Sequence, residues 1–404
     1  MQKRTSFILG LLVGALLVGA AGTATYYGWV RPRHVNEMQV LKKNYAAENS
    51  SLRRRAKGLR KTATSAIPAP QNTNIDRLTP ASEAALNKKL QAEQFIGTVL
   101  LVQHGQIILN KGYGYADAVT KRKNTAASLY QIGSVQKSIT AVLIAQLIAS
   151  GQAKYTDNLH LYYPQIPASD GITLRHMLNM ASGLAYTAPA PKTVLTDNQL
   201  LAYVLQRVTF NPAKLGHRDY QPVNFTLLAG IVEQLTHQSY EQVVNQRIFA
   251  PLGLKANDAG FQWHMIEQPS ETVSYGTKPN AGLYAQPVAQ TLADMHSELG
   301  TGNIYATSNA LYQIEKATVD GKLLSAAQVK TLRNSSNGVY GGGAYNFADY
   351  YVSHGVKNNQ EVVFAMAKDG QTAAILMTNR ASAYLQWEDW QKWYYRFAQN
   401  AATD

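Results

Sequence analysis

One short segment combines a hydroxyl group with a potential base: residues 131–138, with the sequence QIGSVQKS. Ser134 and Lys137 stand three positions apart, so in a helix they share one face and the lysine amine can reach the serine hydroxyl. A serine becomes a strong nucleophile when a neighbouring base takes its proton, and a partly buried lysine can do this. Free N–H groups at a helix start can also stabilise an oxyanion. Because Ser-x-x-Lys also occurs by chance, the spacing indicates acyl transfer only with support from the rest of the chain.

The apolar run after Ser134 predicts the helix that would hold both side chains. Residues 134–150 are strongly apolar, and Gly151 follows at the position where a glycine commonly ends a helix. The upstream chain predicts a helix and then a β-hairpin that turns at His104-Gly105, over 80–92, 98–102 and 106–109.

The last part of the chain is rich in β-forming residues. The predicted strands cover 350–353, 361–367 and 372–377. Asn358-Asn359 and Asp369-Gly370 separate them as turns, and an aromatic-rich helix is predicted over 387–398. A hairpin at the start, strands at the end and helices between predict an α+β fold. Its antiparallel sheet would be built from both ends of the domain and flanked by helices, with a largely helical subdomain.

The N-terminal segment, 1–30, has the features of a transmembrane anchor. Residues 7–24 carry no charge, and aromatic residues lie near the far edge of the apolar run, so residues 7–30 are expected to contact the lipid bilayer. Lys3 and Arg4 place the N-terminus in the cytoplasm and the rest of the chain outside. The alternative is a cleaved signal peptide with a small-residue site at 22–24.

Residues 31–74 are predicted to be a basic stalk and a Pro/Thr/Ser-rich linker, and residues 75–404 the globular domain. The chain has 38 basic and 25 acidic residues, a net charge of +13. Twelve basic and two acidic residues lie within 1–61, which leaves a net charge of only +3 for the rest. The charge therefore indicates tethering near an anionic surface and argues against nucleic acid as a partner.

Several kinds of site are excluded by residue content. The chain has no cysteine, which excludes disulfides, thiol nucleophiles and cysteine-bound metal clusters. Its nine histidines show no metal-ligand spacing, and no phosphate-binding or dinucleotide-binding glycine motif occurs. The sequence thus predicts neither a metal nor an organic cofactor.

Between about residues 90 and 380, the chain resembles the serine penicillin-recognising family, which includes low-molecular-weight penicillin-binding proteins, class C β-lactamases and related esterases. The resemblance rests on the Ser134 segment and on ordered matches at 95–102 (FIGTVLLV), 112–117 (GYGYAD), 174–184 (LRHMLNMASGL), 251–254 (PLGL), 300–302 (GTG), 305–307 (YAT) and 377–379 (MTN). It implies a β-lactamase/transpeptidase-like fold with Ser134 as nucleophile and Lys137 as its base.

The resemblance implies a second motif, Tyr-x-Asn, near Tyr220-Gln221-Pro222-Val223-Asn224. Aligned on the tyrosine, Tyr220 is kept and Pro222 replaces the asparagine. Aligned on Asn224, the tyrosine is missing. We prefer the first alignment because the family often carries a further asparagine two residues on. Tyr220 would then pass a proton during catalysis, with Asn224 near the substrate. A tyrosine that only packs at a helix entry is the alternative.

A third motif, Lys-Thr-Gly or His-x-Gly, is best matched by Ser353-His354-Gly355-Val356, with Val356 in place of the final glycine. In the family this strand supplies an oxyanion N–H group and holds the substrate carboxylate. His354 keeps a polar group there without a permanent charge. We therefore expect His354, Gly355 and Val356 to line the substrate and oxyanion site, unless His354 is merely structural.

The resemblance implies a serine acyl hydrolase of the cell envelope, acting on D-alanyl groups. The altered motifs favour a D-alanyl ester of lipoteichoic acid, since an ester needs no carboxylate clamp. A DD-carboxypeptidase acting on peptidoglycan stem peptides is the alternative, and β-lactam hydrolysis ranks third. Pro222 and Val356 also motivate a non-catalytic, envelope-binding protein. An exported chain without cysteine favours a Gram-positive bacterium. The sequence leaves the oligomeric state open.

Overall fold

The computed structural model describes residues 72–265, 268–276, 282–285, 287–335, 339–380 and 387–404. The predicted anchor and most of the predicted stalk and linker lie outside the described residues. Among the described residues, no helix combines the length and the apolar character that crossing a bilayer requires. The anchor at 7–30 lies outside these residues and stays a prediction.

The described elements are numbered in chain order. The strands are β1 (Ile75–Asp76), β2 (Gly97–Gln103), β3 (Gln106–Tyr113), β4 (Tyr115–Asp117), β5 (Arg122–Lys123), β6 (Tyr130–Gln131), β7 (Ser182–Ala185), β8 (Thr209–Leu215), β9 (Ala259–Phe261), β10 (Ser274–Tyr275), β11 (Pro287–Val288), β12 (Ile304–Ala306), β13 (Val339–Gly341), β14 (Ala344–Asn346), β15 (Tyr350–Lys357), β16 (Gln360–Ala367) and β17 (Ala373–Thr378). The α-helices are α1 (Pro80–Ala92), α2 (Gln136–Ala149), α3 (Leu174–Leu178), α4 (Asp197–Leu205), α5 (Val223–Thr236), α6 (Tyr240–Val244), α7 (Gln262–Met265), α8 (Leu292–His296), α9 (Ser308–Val319), α10 (Ala326–Leu332) and α11 (Trp387–Asn400). Short 3₁₀ helices cover Gly133–Val135, Leu159–Leu161 and Ala250–Leu252, and a π-helix covers Asn245–Phe249.

The main sheet has eight antiparallel strands in the order β1-β3-β2-β17-β16-β15-β14-β13. Its centre joins the two ends of the domain, because β2 pairs with β17 in a register that sets Leu100 opposite Ile375. The turn between β15 and β16 uses Asn358 and Asn359, both with positive φ, as tight hairpins favour. The α+β fold predicted from the sequence, with a sheet built from both ends, is confirmed.

Helices cover both faces of this sheet. On one face α1 and α11 pack through a cluster that includes Leu86 and Trp390, whose side chains are fully buried. On the other face lies α2, with buried residues all around its circumference from Gln136 to Ala145. A helix that is buried on every side needs neighbours on every side. The sheet provides one neighbour and α5 another, so α2 is held at the centre of the fold.

A second, three-stranded sheet positions the loop that reaches the serine segment. Its order is β6-β12-β9, and Tyr305 on β12 pairs with Gln131 on β6. The Gln136 side chain reinforces the contact, because its amide donates to Asn303 at 2.7 Å and its oxygen accepts from the Ile304 N–H at 2.9 Å. Residues 298–303, which precede β12 and are called the Glu298 loop below, are thereby held beside the start of α2.

Candidate active site

Ser134 lies on the 3₁₀ helix Gly133–Val135, called the serine turn below, which leads directly into α2. The Ser134 residue is half-buried, whereas its neighbours Gly133 and Val135 are buried. Gly133 has a φ of +51°, and a Cβ atom there would stand 2.9 Å from the Val356 nitrogen. Glycine at 133 therefore allows the backbone of β15 to approach the serine turn closely.

Lys137 is the base partner that the sequence predicts, and it is only 1% exposed. Its Nζ donates to Ser134 Oγ at 2.8 Å and to the Thr301 carbonyl oxygen at 3.2 Å. Burial lowers the pKa of Lys137 from 10.5 to about 8, against the opposing effect of the Glu298 charge. A lysine with such a pKa is neutral in a useful fraction of molecules near neutral pH, so it can accept the serine proton.

Tyr220 lies on the other side of this pair. Its ring centre is 5.5 Å from Lys137 Nζ, and its ring packs against that of Tyr340. Burial raises the pKa of Tyr220, and the nearby hydroxyls of Ser134 and Tyr340 and the Arg218 charge offset only part of the effect. Tyr220 is therefore protonated at neutral pH and able to donate. The preceding residue anchors it, since the Asp219 N–H donates to the Met180 carbonyl at 2.7 Å.

The structure distinguishes the two alignments of the second motif. Tyr220 stands beside Ser134 and Lys137, as the first alignment requires. Asn224 is fully buried near the start of α5, where its Nδ2 donates to the Gln221 carbonyl at 2.9 Å. Pro222 is exposed and caps the same helix. Asn224 thus holds the Tyr220 loop in place, and its contact with substrate stays a prediction.

The third motif needs a correction of one residue. The position that must be glycine is Gly355, because a Cβ atom there would stand 2.2 Å from the Ile132 carbonyl oxygen and 2.7 Å from the Ser134 nitrogen. The required glycine is therefore present, and the expectation that Val356 replaces it was wrong. The Val356 backbone lies against Gly133, while its side chain is 49% exposed. Val356 can therefore contribute its N–H group next to that of Ser134.

His354 is engaged by groups outside the Ser134–Lys137 pair. Its Nε2 lies 2.7 Å from Glu361 Oε1 on β16, and its ring stacks on Trp387 with centres 5.1 Å apart. Successive residues of β15 point to opposite faces of the strand. Gly355 is on the face toward the serine turn, so His354 is on the other face. The His354 ring is therefore engaged by Glu361 and Trp387 and not by the Ser134–Lys137 pair.

Aromatic rings and one guanidinium group surround Tyr220. Tyr340 packs edge-on against Tyr220 with ring centres 5.4 Å apart, and Tyr345 packs edge-on against Tyr340 at 5.2 Å. The exposed Arg218 donates to the Tyr345 hydroxyl at 3.3 Å and forms no salt bridge with any residue that the structure describes. Sequence reasoning did not identify these residues, since no local pattern places residue 340 beside residue 220.

A charged pair beside Lys137 was also missed. Glu298 lies in the loop that holds Thr301, and Lys357 ends β15; their side chains are 3.0 Å apart. The only sequence signal was the Gly300-Thr301-Gly302 match, which carried no role. Among the described residues, no group of three or more histidine and acidic side chains could hold a metal ion.

Comparison with known proteins defines the class of this chain. The family model named Beta-lactamase matches residues 83–389, and the chain belongs to this family. PbpX of Bacillus subtilis (strain 168), a penicillin-binding protein-like chain, is 28% identical over 380 residues, which cover 94% of this chain and 90% of PbpX.

Two further comparisons add a relative and a solved structure. The teichoic acid D-alanine hydrolase of Staphylococcus aureus is 31% identical over 170 residues, or 42% of each chain. The crystal structure of FmtA from Staphylococcus aureus superposes with a TM-score of 0.72 at 20% identity, over 86% of this chain and 95% of that one. At that identity the structural match supports the fold alone.

Proposed function

We propose that this protein is a serine acyl hydrolase that forms an acyl-enzyme on Ser134. One observation carries the proposal: a fully buried lysine amine lies 2.8 Å from a serine hydroxyl, and a protonated tyrosine stands beside both. Burying a lysine costs free energy, and pairing it with a neutral hydroxyl gives no charge compensation. The arrangement lowers the proton affinity of Lys137, as a general base requires.

The reaction begins when neutral Lys137 accepts the Ser134 proton while Oγ bonds to the acyl carbon. The carbonyl oxygen becomes an oxyanion, held by the N–H groups of Ser134 and Val356. As the bond to the leaving group breaks, Tyr220 donates a proton to that group and regains one from the Lys137 ammonium. A water molecule then attacks the acyl-enzyme, passing its proton through Tyr220 to Lys137. Collapse of the second intermediate releases the acid, and Ser134 recovers a proton from Lys137.

We propose a D-alanyl ester of lipoteichoic acid as the preferred substrate. The relative named teichoic acid D-alanine hydrolase supports this choice. Side-chain pairing near Gly355 also supports it, because Lys357 forms a salt bridge with Glu298 and the His354 ring pairs with Glu361. Neither side chain is left free to bind a terminal carboxylate, and an ester requires no such contact.

A DD-carboxypeptidase acting on peptidoglycan stem peptides is the second candidate. The penicillin-binding protein-like PbpX, which aligns with 94% of this chain, favours it. The exposed Arg218 next to Tyr345 is a cation that a terminal carboxylate could reach. β-Lactam hydrolysis ranks third, and a non-catalytic envelope-binding role is opposed by the intact Ser134, Lys137 and Tyr220.

For the location, we propose that residues 7–30 anchor the chain in the cell membrane with the domain outside the cytoplasm. The uncharged run at 7–24 and the basic start support this. Protease added to intact cells should remove the domain. Full protection of the domain until the cells are lysed would contradict the proposal.

The activity assay uses the full chain with D-alanylated lipoteichoic acid and, separately, with a muropeptide ending in D-Ala-D-Ala, and measures free D-alanine. We expect release from the polymer and none from the Ser134→Ala variant. Release from the muropeptide alone would favour the carboxypeptidase. Release from neither would contradict both enzymatic candidates.

A further inference from the structure

The carboxylate of Glu298 uses both of its oxygen atoms. Oε1 accepts from Lys357 Nζ at 3.0 Å, and Oε2 accepts from the Thr301 hydroxyl at 2.8 Å. The backbone carbonyl of Glu298 also accepts the N–H groups of Thr301 and Gly302, at 3.0 and 3.1 Å. These four bonds fix the Glu298 loop in one conformation.

The Glu298 loop connects this carboxylate to the base. The carbonyl oxygen of Thr301 accepts from Lys137 Nζ at 3.2 Å, so the residue that Glu298 holds in place is itself a partner of Lys137. The carboxylate also lies close to the serine turn: a Cβ atom on Gly302 would stand 3.3 Å from Glu298 Oε2 and 3.4 Å from Gly133 Cα.

Lys357 extends the connection to the oxyanion strand. It lies two residues after Gly355 and therefore on the same face of β15, the face turned to the serine turn. Its bond to Glu298 ties the end of β15 to the Glu298 loop. The backbone of Val356 lies between Gly355 and Lys357. The Lys357–Glu298 bond holds it on one side, and its pairing with Glu361 on β16 holds it on the other.

Few charged groups face this pair. Glu298 is faced by the ammonium groups of Lys137 on α2 and of its partner Lys357 on β15, and by the hydroxyl of Tyr220. Asp294 on α8 lies near Lys357. Burial alone would raise the pKa of Glu298, but Lys357, the Thr301 hydroxyl and Lys137 outweigh it and hold this pKa below its usual range. Glu298 is thus ionised at neutral pH. Among the described residues it is also the charged group that acts on Lys137.

We propose that Glu298 and Lys357 are positioning residues that set the proton affinity of Lys137 and hold the oxyanion strand against the serine turn. The inference rests on the proposed function, because it assigns Lys137 the role of the base. Neither residue contacts the acyl group in this role. Glu298 favours the ammonium form of Lys137, Lys357 limits that effect, and the balance keeps Lys137 a usable base.

Charge removal should give shifts of opposite sign. In Glu298→Gln the ammonium of Lys137 loses its nearby negative charge, so its titration midpoint should fall by about one pH unit. In Lys357→Met the Glu298 charge is no longer compensated, so the midpoint should rise. Glu298→Asp keeps the charge and should stay close to the unaltered protein. A purely structural role predicts lower rates in the first two variants with no shift in either direction.

Two readouts on the full chain test this inference. The first is the pH dependence of p-nitrophenyl acetate hydrolysis. The second needs no substrate: NMR titration of ¹³C-labelled lysine, with the Lys137 signal assigned by its loss in Lys137→Met. Lys316 on α9 is a half-buried lysine paired with Asp320, and Lys316→Met serves as the matched control, in which neither readout should move.

Opposite NMR shifts in Glu298→Gln and Lys357→Met would support the inference, even if no D-alanine is released from any substrate. In that case the proposed function would be wrong and the charge coupling right. Equal midpoints in all variants would overturn the inference, even with D-alanine release intact. If Glu298→Gln does not fold, the upward shift in Lys357→Met decides alone.

Discussion

At the residue scale, the site depends on a lysine whose side chain is buried away from water. Lys137 exchanges hydration for two hydrogen bonds, to a hydroxyl and to a carbonyl oxygen, and neither partner carries a charge. The ammonium form is therefore destabilised more than the neutral amine. The same burial keeps Tyr220 protonated, so one environment prepares an acceptor and a donor on either side of Ser134.

This environment predicts the pH dependence of the reaction. The base acts when Lys137 is neutral, so kcat/KM on an ester should rise with pH and level off above the pKa of about 8. At pH 7 about one molecule in ten carries the neutral amine, compared with about one in a few thousand for an ordinary lysine. The measurement is kcat/KM on p-nitrophenyl acetate between pH 6 and pH 10, with rates corrected for spontaneous hydrolysis. A profile that stays flat from pH 6 to pH 9 would contradict Lys137 as the base.

The sequence predicted these residues unevenly. Ser134 and Lys137 could be paired because a helix brings positions i and i+3 together, a local rule that the structure meets at 2.8 Å. Tyr220 required the family resemblance. Asn224 was expected near the substrate, but its amide turned inward to the Gln221 carbonyl, and burial at a helix start is not visible in a short motif. The glycine of the third motif was misplaced by one residue, because only the packing of two backbones shows which position lacks room for a Cβ atom.

At the element scale, β15 supplies the wall opposite the serine. The strand pairs with β16 on one side and, at its far end, with β14; the segment around Gly355 lies against the serine turn instead of against another strand. Its role therefore depends on backbone contact. The side chain of Val356 points into solvent, and the backbone of that residue is the part that faces Gly133.

This arrangement predicts opposite outcomes for two small substitutions. In Gly355→Ala the new Cβ atom would collide with the Ile132 carbonyl oxygen, so β15 must move away from Ser134. Loss of one oxyanion donor typically costs about 100-fold to 1,000-fold in kcat. In Val356→Ala an exposed side chain is shortened and the N–H group remains, so kcat should stay within about threefold, since exposed positions away from special contacts have small effects.

Both variants would be compared on the same ester, with the thermal midpoint as a check of folding. A folded Gly355→Ala variant with normal kcat, or a large loss of kcat in Val356→Ala, would show that the backbone of this strand is not part of the oxyanion site.

Elements with local signals were predicted well. The helix expected over 80–92 is α1, with identical bounds, and the hairpin around His104-Gly105 forms between β2 and β3. The sheet β6-β12-β9 was not predicted, because its strands have two or three residues and pair positions as distant as 131 and 305. The Glu298 loop depends on that pairing. The charged pair of Glu298 and Lys357 beside Lys137 could therefore not be predicted from the sequence.

At the scale of the whole molecule, the charge is unevenly distributed. Residues 1–61 carry a net charge of +10 and the rest of the chain +3. If the proposed substrate is an anionic polymer attached to the envelope, a basic stalk beside the membrane would raise the local concentration of that polymer. This attraction would be strongest at low ionic strength.

Deletion of residues 31–61, with residues 1–30 kept, tests this idea. D-alanine release from lipoteichoic acid should fall at low salt, and the difference from the undeleted chain should vanish at about 1 M salt, where charges are screened within a few ångströms. Hydrolysis of an uncharged small ester should be equal in both chains. Unchanged polymer turnover at low salt would contradict a role for the stalk.

The central claim is that Lys137 enables Ser134 to form an acyl-enzyme, and rapid-quench mass spectrometry tests it most directly. The full chain is mixed with D-alanylated lipoteichoic acid, stopped in acid and digested. The account predicts a D-alanyl adduct on the peptide that contains Ser134, no adduct in Ser134→Ala, and strongly slowed formation in a folded Lys137→Met variant. Release of D-alanine at a normal rate by the Ser134→Ala variant would contradict the account.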